Sequence, residues 1–591
     1  MSDRTTTEAR SKTPQFDAAL EQYFVELEPQ LDEQGGQWRE CRFSKRQFYV
    51  RPEDVAFYKK IGVPLPTLSP NERARRKFGY FNIYNLFRVN STHSNKSIIA
   101  AYPPNTPYPI YEHEVWNGEG WNPHEFAHDY DPNRDFFSQY QDFQRSVPRA
   151  NLNIKNSVGS DFTNNTSRVK NCYLVFDAIE SEECAYCIYL EQSKYCYNGF
   201  GPINSEITYE AVISERLYRS FFIEYSRDCL DSSFLYDCRD CQYCFACTNL
   251  RHRKYCFLNE QLTKEEYEKR VSEIDLGNRA VVEEWKGKFS ELKEGAIHRA
   301  NHNEKSVDSS GDFIEQSRNC YSCYYVTESE NIAYSTGGLK NRDSYDTVGG
   351  KGTELSYEVW GLSAYNTKFS MEADQLRDCE YCDLCENSNN CFACIGLRNR
   401  SFCIFNKQYS EEEYWKTVDE IKANMLAAGE YGEFFPPELA PIPYNVSLAM
   451  SYQGYDDIQT AVQYGYHAEE IPESIQDVSG EGIDAEDVPL DIKETGDDIL
   501  AKVIFDRENN KQFRYTKQEL DFHRQYNLAL PIEHYSVHLA RRRIDLGPID
   551  FNIKGRECSK CGKATQVTIP ENHPSAPKIV YCESCYNAEI H

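Results

Sequence analysis

Short aromatic and cysteine-rich runs alternate with polar ones at a 12-residue step through the middle of the chain. Cys172, Cys184, Cys196 and Thr208 keep that step, as do Cys244 and Cys256, then Cys320, Ile332, Ser344 and Ser356, and finally Cys379, Cys391 and Cys403. Each unit reads as a strand followed by a turn, as in NCYLVF then DAIESEE. Such a strand cannot bury its inward face alone, whereas stacked turns bury a continuous core. The pattern predicts a β-solenoid with two of these units per coil, and bulges or corners at the slips near 219–229 and 367. Residues three apart on a strand alternate faces. Only alternate members of Cys238, Cys241, Cys244, Cys247 and of Cys379, Cys382, Cys385, Cys391, Cys394 are therefore expected inside.

The repetition has two larger scales. CFACTNLRHRKYCFLNEQLTKEEYEKRVSEI from Cys244 recurs as CFACIGLRNRSFCIFNKQYSEEEYWKTVDEI from Cys391, so two homologous arrays each end in the same acidic helix. Thr263 with Glu266, and Ser410 with Glu413, have the spacing of a capping box. A polar helix there closes the open edge of a solenoid. The chain ends also match: QFYVRPEDVAFYKK from Gln47 aligns with QFRYTKQELDFHRQ from Gln512, ARRK (74–77) with ARRR (540–543), and YEHEVWN (111–117) with YCESCYN (581–587).

In that register Cys558, Cys561, Cys582 and Cys585 face Ser91, Ser94, Glu112 and Val115. The cysteines have the spacing of a zinc ribbon, two C-x-x-C turns supplying four sulfurs to a tetrahedral ion. A site filled by four protein ligands is structural, with no open position for chemistry. One structural Zn2+ is expected, and the N-terminal module is expected to be metal-free.

These features predict a mainly β fold with helical caps (α+β). The expected organisation is an N-terminal helical segment (1–40), a degenerate ribbon module (41–150), a first array with its cap (151–280) and a second (281–425). A proline- and aromatic-rich segment with an acidic linker (426–500) and a C-terminal module with the intact ribbon (501–591) follow.

Composition narrows the function. Lys and Arg number 65 against 93 Asp and Glu, a net charge of −28 that disfavours nucleic acid. The basic tracts Arg73 to Lys77 and Arg541 to Arg543, each just before a ribbon, keep that alternative open. No long apolar run or secretion signal is present, and 23 cysteines without one suit thiols or metal ligands, so a soluble cytoplasmic protein off the membrane is expected. The cysteine runs also admit a thiol-rich metal-binding or redox protein. HEFAH (124–128) matches a metalloprotease signature, but Pro123 and Pro132 leave little helix to carry it. With no specific catalytic constellation and no small-molecule substrate in view, the leading expectation is a non-enzymatic scaffold or protein-binding protein. Its tyrosine- and acid-rich faces suit protein partners or self-association.

The ribbon ending YCESCYN, the unit CFACIGLRNRSFCIFNKQYSEEEY and the stretch GEYGEFFPPELAPIPYN resemble a family of cysteine-rich zinc-ribbon and β-solenoid proteins of small-genome bacterial lineages. The resemblance runs from about Cys41 to the end and implies an architecture, not an activity. It further implies cysteine knuckles where this chain has Cys41, Ser44, Ser69 and Glu72, and where it has Asp506, Asn509, His534 and Val537.

Overall fold

The computed structural model describes residues 11–454, 457–470 and 480–590. It is mainly β, with helices around two β-solenoid arrays. Ile154 pairs in parallel with Thr166, Thr166 with Ala178, and Ala178 with Leu190, so each coil takes 12 residues. One unit per coil thus replaces the expected two. The reason lies in the backbone: from Arg168 to Tyr255 every third residue has a positive φ, including Asn171, Leu174, Asp177, Glu180, Glu183 and Tyr186. Each left-handed residue turns the chain through a corner, giving a four-sided coil with sides of three residues.

That geometry overturns the expected alternation of faces. Cys238, Cys241, Cys244 and Cys247 are all fully buried, as are Cys379, Cys382, Cys385, Cys391 and Cys394. Because a corner follows every third residue, the same position of each triplet always points inward. The inward series Cys172, Val175, Ala178, Ser181, Cys184, Cys187, Leu190, Ser193, Cys196 is small and mostly apolar or hydroxylated.

Serine and cysteine serve the same hydrogen bonds there. Ser193 Oγ donates to the Glu191 carbonyl at 2.8 Å and accepts from the Ser205 N–H at 3.1 Å; Cys184 Sγ donates to the Glu182 carbonyl at 3.2 Å and accepts from the Cys196 N–H at 3.4 Å. Outside, alternating charges 12 residues apart pin the register: Lys170 and Lys194 both pair with Glu182, and Arg168 with Glu180.

The second array slips twice: in its first coil, where Glu304 pairs with Glu315 and Val307 with Arg318, and again ending between Val359 and Gly361, where Glu354 pairs with Tyr365 across an 11-residue coil. The second of these answers the slip expected near 367. Around 219–229 the 12-residue register continues unbroken. Both cap helices, Lys264–Ser272 and Glu411–Ala428, begin with the expected capping boxes at Thr263 and Ser410. Of the acidic stretch before the C-terminal module, residues 471–479 lie outside the described residues. Gly482–Asp484 beyond them pairs with Val503–Asp506 as a strand. No helix among the described residues is long and apolar enough to cross a membrane.

The end modules cross over. Helices Pro52–Ile61 and Pro70–Phe78 pack on the second array, and their counterparts Lys517–Tyr526 and Tyr535–Leu546 pack on the first. The contacts match pair by pair. Phe57 stacks on Tyr345 at 3.8 Å and Phe522 on Tyr197 at 4.1 Å. Tyr334 donates to Asp54 and Tyr186 to Glu519, both at 2.8 Å. Arg76 meets Glu358 at 2.8 Å and Arg542 meets Glu210 at 3.8 Å. The molecule therefore has an internal two-fold relation in which each module clamps the other module's array.

One difference between the halves is testable. Arg51 pairs with Asp54 at 2.5 Å, but Thr516 stands in its place beside Glu519. Burial pushes the Glu519 carboxyl up to about 7, against hydrogen bonds from Tyr186 and Thr516. A carboxyl with a raised folded-state pKa favours the folded state fully below its unfolded value near 4.3, and that contribution is lost as pH rises towards 7. Glu519→Gln is expected to be nearly neutral at pH 4 and to stabilise the protein by about 3 kcal/mol at pH 8, read as a pH-dependent difference in thermal midpoint. In the core, Cys196→Ser is expected to cost about 1 kcal/mol or less and Cys196→Phe several times that, because overpacking has no room to relax.

Candidate metal centre

The C-terminal ribbon is built from a hairpin, Lys554–Glu557 with Ala564–Val567, a short strand Val580–Tyr581 and a helix Glu583–Ile590. The first C-x-x-C turns between the hairpin strands. Cys558 N–H donates to Lys563 O, Gly562 N–H donates back to Cys558 O at 2.9 Å, and Gly562 takes φ 71°. The second straddles the start of the helix, where Tyr586 N–H donates to Cys582 O.

This folding brings the four sulfurs within 4.8 Å of one another. Among the described residues it is the one group of three or more Cys, His, Asp or Glu whose ligand atoms converge closely enough to hold a metal ion. Cys558 and Cys582 are buried and Cys561 is exposed.

The surroundings favour the thiolate at Cys558 and Cys582 and oppose it at Cys585. Burial pushes Cys558 up, but the N–H groups of Cys582, Cys561 and Lys560 outweigh it and bring the thiol down to about 6. The Ser584 hydroxyl lowers Cys582, whereas the neighbouring Cys561 sulfur pushes Cys585 up to about 12. Four sulfurs this close resist full ionisation unless a cation neutralises them. The donor set therefore fits a soft divalent or monovalent metal ion held by all four side chains.

The same backbone knuckle occurs four times. Its left-handed residue is Lys45, Asn95, Asn510 or Gly562, each four positions after Cys41, Ser91, Asp506 or Cys558. In the three others, acceptors other than a metal-bound sulfur organise the turn. Cys41 Sγ accepts the Ser69 N–H at 3.4 Å. Asp506 accepts the Asn509 N–H at 3.2 Å and the His534 N–H at 3.0 Å. Glu112 accepts from the Ser91 hydroxyl at 2.7 Å and from that of Ser94. The N-terminal copy otherwise repeats the ribbon bond for bond: Thr92 N–H to Ile110 O and Ser559 N–H to Val580 O are both 2.8 Å. Val115, the fourth position, contributes no polar atom.

Both ribbons join array ends. Ile110–Tyr111 pairs with Arg149–Ala150 at the entry to the first array, and Val580–Tyr581 pairs with His298–Arg299 at the entry to the second. Each then reaches the far end of the other array. Arg398 donates to the Trp116 carbonyl at 2.9 Å, and its counterpart Arg251 donates to the Tyr586 hydroxyl at 2.5 Å. Tyr586 in turn donates to Asp237.

The remaining candidates are placed as follows. The residues of HEFAH do not form a helical two-histidine face: Pro123–Phe126 is a single 3-10 turn, and His124 Nε2 accepts from Arg400 at 2.9 Å. Arg73, Arg76 and Lys77 are almost wholly buried, Arg73 against Asp346 at 2.9 Å and Arg76 between Glu358 and Glu433, so this tract presents no basic face to solvent. Arg542 is buried and Arg543 covers the Tyr452 ring at 3.8 Å. Burial pushes the array thiols of Cys187, Cys238, Cys323 and Cys382 well up. Cys172, Cys241 and Cys403 go the other way because neighbouring thiols donate to them. The buried clamps Arg76 to Glu358 and Tyr334 to Asp54 escaped sequence reasoning: the 47–77 and 512–543 alignment marks the module residues Arg76 and Asp54 but not their partners in the arrays.

Replacing Ser91, Ser94, Glu112 and Val115 together with cysteine is expected to raise metal uptake by one ion per chain, because the backbone frame is already in place. Cobalt titration, read by thiolate charge-transfer absorption, checks it. No family model matches this chain and no curated protein matches it, so the resemblance rests on the quoted motifs and the centre on its own geometry.

Proposed function

We propose that this protein is a non-enzymatic cytoplasmic scaffold whose single structural zinc, held by Cys558, Cys561, Cys582 and Cys585, secures one of two matched joints between its arrays. The observation that carries the reading is the position of the four-cysteine ribbon. It bridges the entry of the second array and the end of the first, through Val580–Tyr581 on His298–Arg299 and Tyr586 on Asp237. Four protein sulfurs complete a tetrahedral shell, which suits a structural ion.

The array cysteines support the same reading, since each fills an inward position that serine also fills and none is paired in a disulfide. Free thiols in this number suit a reducing compartment. Much of the tyrosine of the arrays is spent within the molecule, as Tyr197, Tyr345 and Tyr357 lie under the module helices. Partner proteins would meet the remaining sides, lined by ladders of Lys, Arg, Asp and Glu.

Purified protein is expected to carry about one zinc and no iron per chain. Cys558→Ser with Cys561→Ser should remove that zinc and speed amide exchange at 298–300 and 580–582, while the coils stay protected. Two or more metals per chain, or zinc retained by the double variant, would contradict the reading.

A further inference from the structure

Beside the ribbon helix lies a cavity of about 180 Å³, lined chiefly by Arg239 of the first array, Arg299, Glu304 and Lys305 of the segment entering the second, and Glu583 and Tyr586 of the ribbon. At roughly 30 Å³ per water it has room for a small organic acid or a phosphate, and it is smaller than a typical drug-sized site. The other described cavity, beside Glu519, holds about 10 Å³ and admits at most one water.

The lining of the larger cavity carries three cations, Arg239, Arg299 and Lys305, against two carboxylates, Glu304 and Glu583, with Asp237 behind Tyr586 also acting on Arg299. Arg239 and Arg299 both pair with the single carboxylate of Glu304, Arg299 at 3.1 Å. Arg227, outside the lining, also pairs with Glu304 but has Glu215 and Glu315 as further partners. The buried Nε–H groups of Arg239 and Arg299 have no hydrogen-bond acceptor, and the Arg299 side chain is only 10% exposed. Lys305 at the rim forms no ion pair among the described residues, and Glu583 is the only other carboxylate in the lining. Tyr586 fixes the Arg299 guanidinium from one side, its ring 4.4 Å away.

The matching place in the other half is closed. Trp116 takes the position of Tyr586, Trp121 packs on it at 5.5 Å, and a Cβ on Gly396 would strike Trp121. Lys155 and Glu386 stand where Glu304 and Arg239 stand, with the charges reversed. The cavity is therefore not a packing habit of the fold: one copy is filled with indoles and the other is left open, with Arg239, Arg299 and Lys305 facing Glu304 and Glu583.

We infer that this cavity binds a small oxyanion, a carboxylate or phosphate group seated between Arg239, Arg299 and Lys305, with Asn301, Asn303 and Asn587 able to contact the rest of the ligand. The full-length, metal-loaded protein would be titrated calorimetrically with inorganic phosphate and separately with succinate, at constant ionic strength. Saturable one-to-one binding of at least one is expected, weakened about tenfold or more by Arg239→Gln and severalfold by Lys305→Ala, and unchanged by the control Arg216→Ala. Lys305 is exposed, so that variant keeps its fold. Preference for phosphate or succinate separates the two ligand classes. Absence of saturation by both, or wild-type affinity in both Arg239→Gln and Lys305→Ala, overturns the inference.

Discussion

A left-handed residue at every third position governs this molecule. For an L-residue other than glycine that conformation costs about 1 to 2 kcal/mol, and the first array repeats it from Arg168 to Tyr255 largely without glycine. The compensation is a closed hydrogen-bond ladder. Lys170 N–H donates to Ser181 O in the next coil and Glu183 N–H to Lys170 O in the one before, so corner and side residues alike are satisfied. Three-residue sides leave a narrow interior that accepts small or aliphatic side chains and no rings, so the core is built from cysteine, serine, alanine and valine with leucine or isoleucine at places such as Leu190 and Ile223. The abundance of cysteine follows from that width: a thiol fills slightly more apolar volume than a hydroxyl and makes the same contacts to the backbone.

Coils this narrow are long and thin, and their outer faces need cover. The aromatic rings that flank the corners supply the contact surface, and the two end modules supply the cover, each laid on the other module's array. Buried ion pairs set the register of that clamp. Arg76 between Glu358 and Glu433 is costly to desolvate and far costlier to leave unpaired, so it specifies one docking position over its neighbours. The ribbons close the remaining joints. Of four equivalent knuckles, three are organised by a thiol or carboxylate accepting N–H or O–H donors, and one gathers four sulfurs. A metal ion held by those sulfurs would add local rigidity to a joint whose architecture recurs where no such sulfur cluster exists.

Much of this was legible in the residues. The 12-residue step, the tandem arrays, the capping boxes at Thr263 and Ser410 and the four ribbon cysteines all follow from spacing, because periodic contacts leave periodic residues. Coil size was misjudged because the corners carry no glycine signature: Leu174 and Tyr186 are poor candidates for a positive φ, and the neighbouring coils impose it. Reading Cys238 to Cys247 as a strand then hid half of the inward thiols. The small inward series at steps of three was the available clue. Which array each module clamps could not be read, since the alignment of 47–77 with 512–543 pairs the modules with each other and says nothing of their partners.

In the proposed scaffold the array thiols build a core and perform no chemistry. Alkylation of the native protein with iodoacetamide, mapped by mass spectrometry after metal chelation, tests this most directly. Label should appear at Cys561 and Cys585, with all 18 array cysteines protected until the protein unfolds. Rapid labelling of array cysteines in the folded protein, or disulfides among them, would show thiols available for chemistry and contradict it.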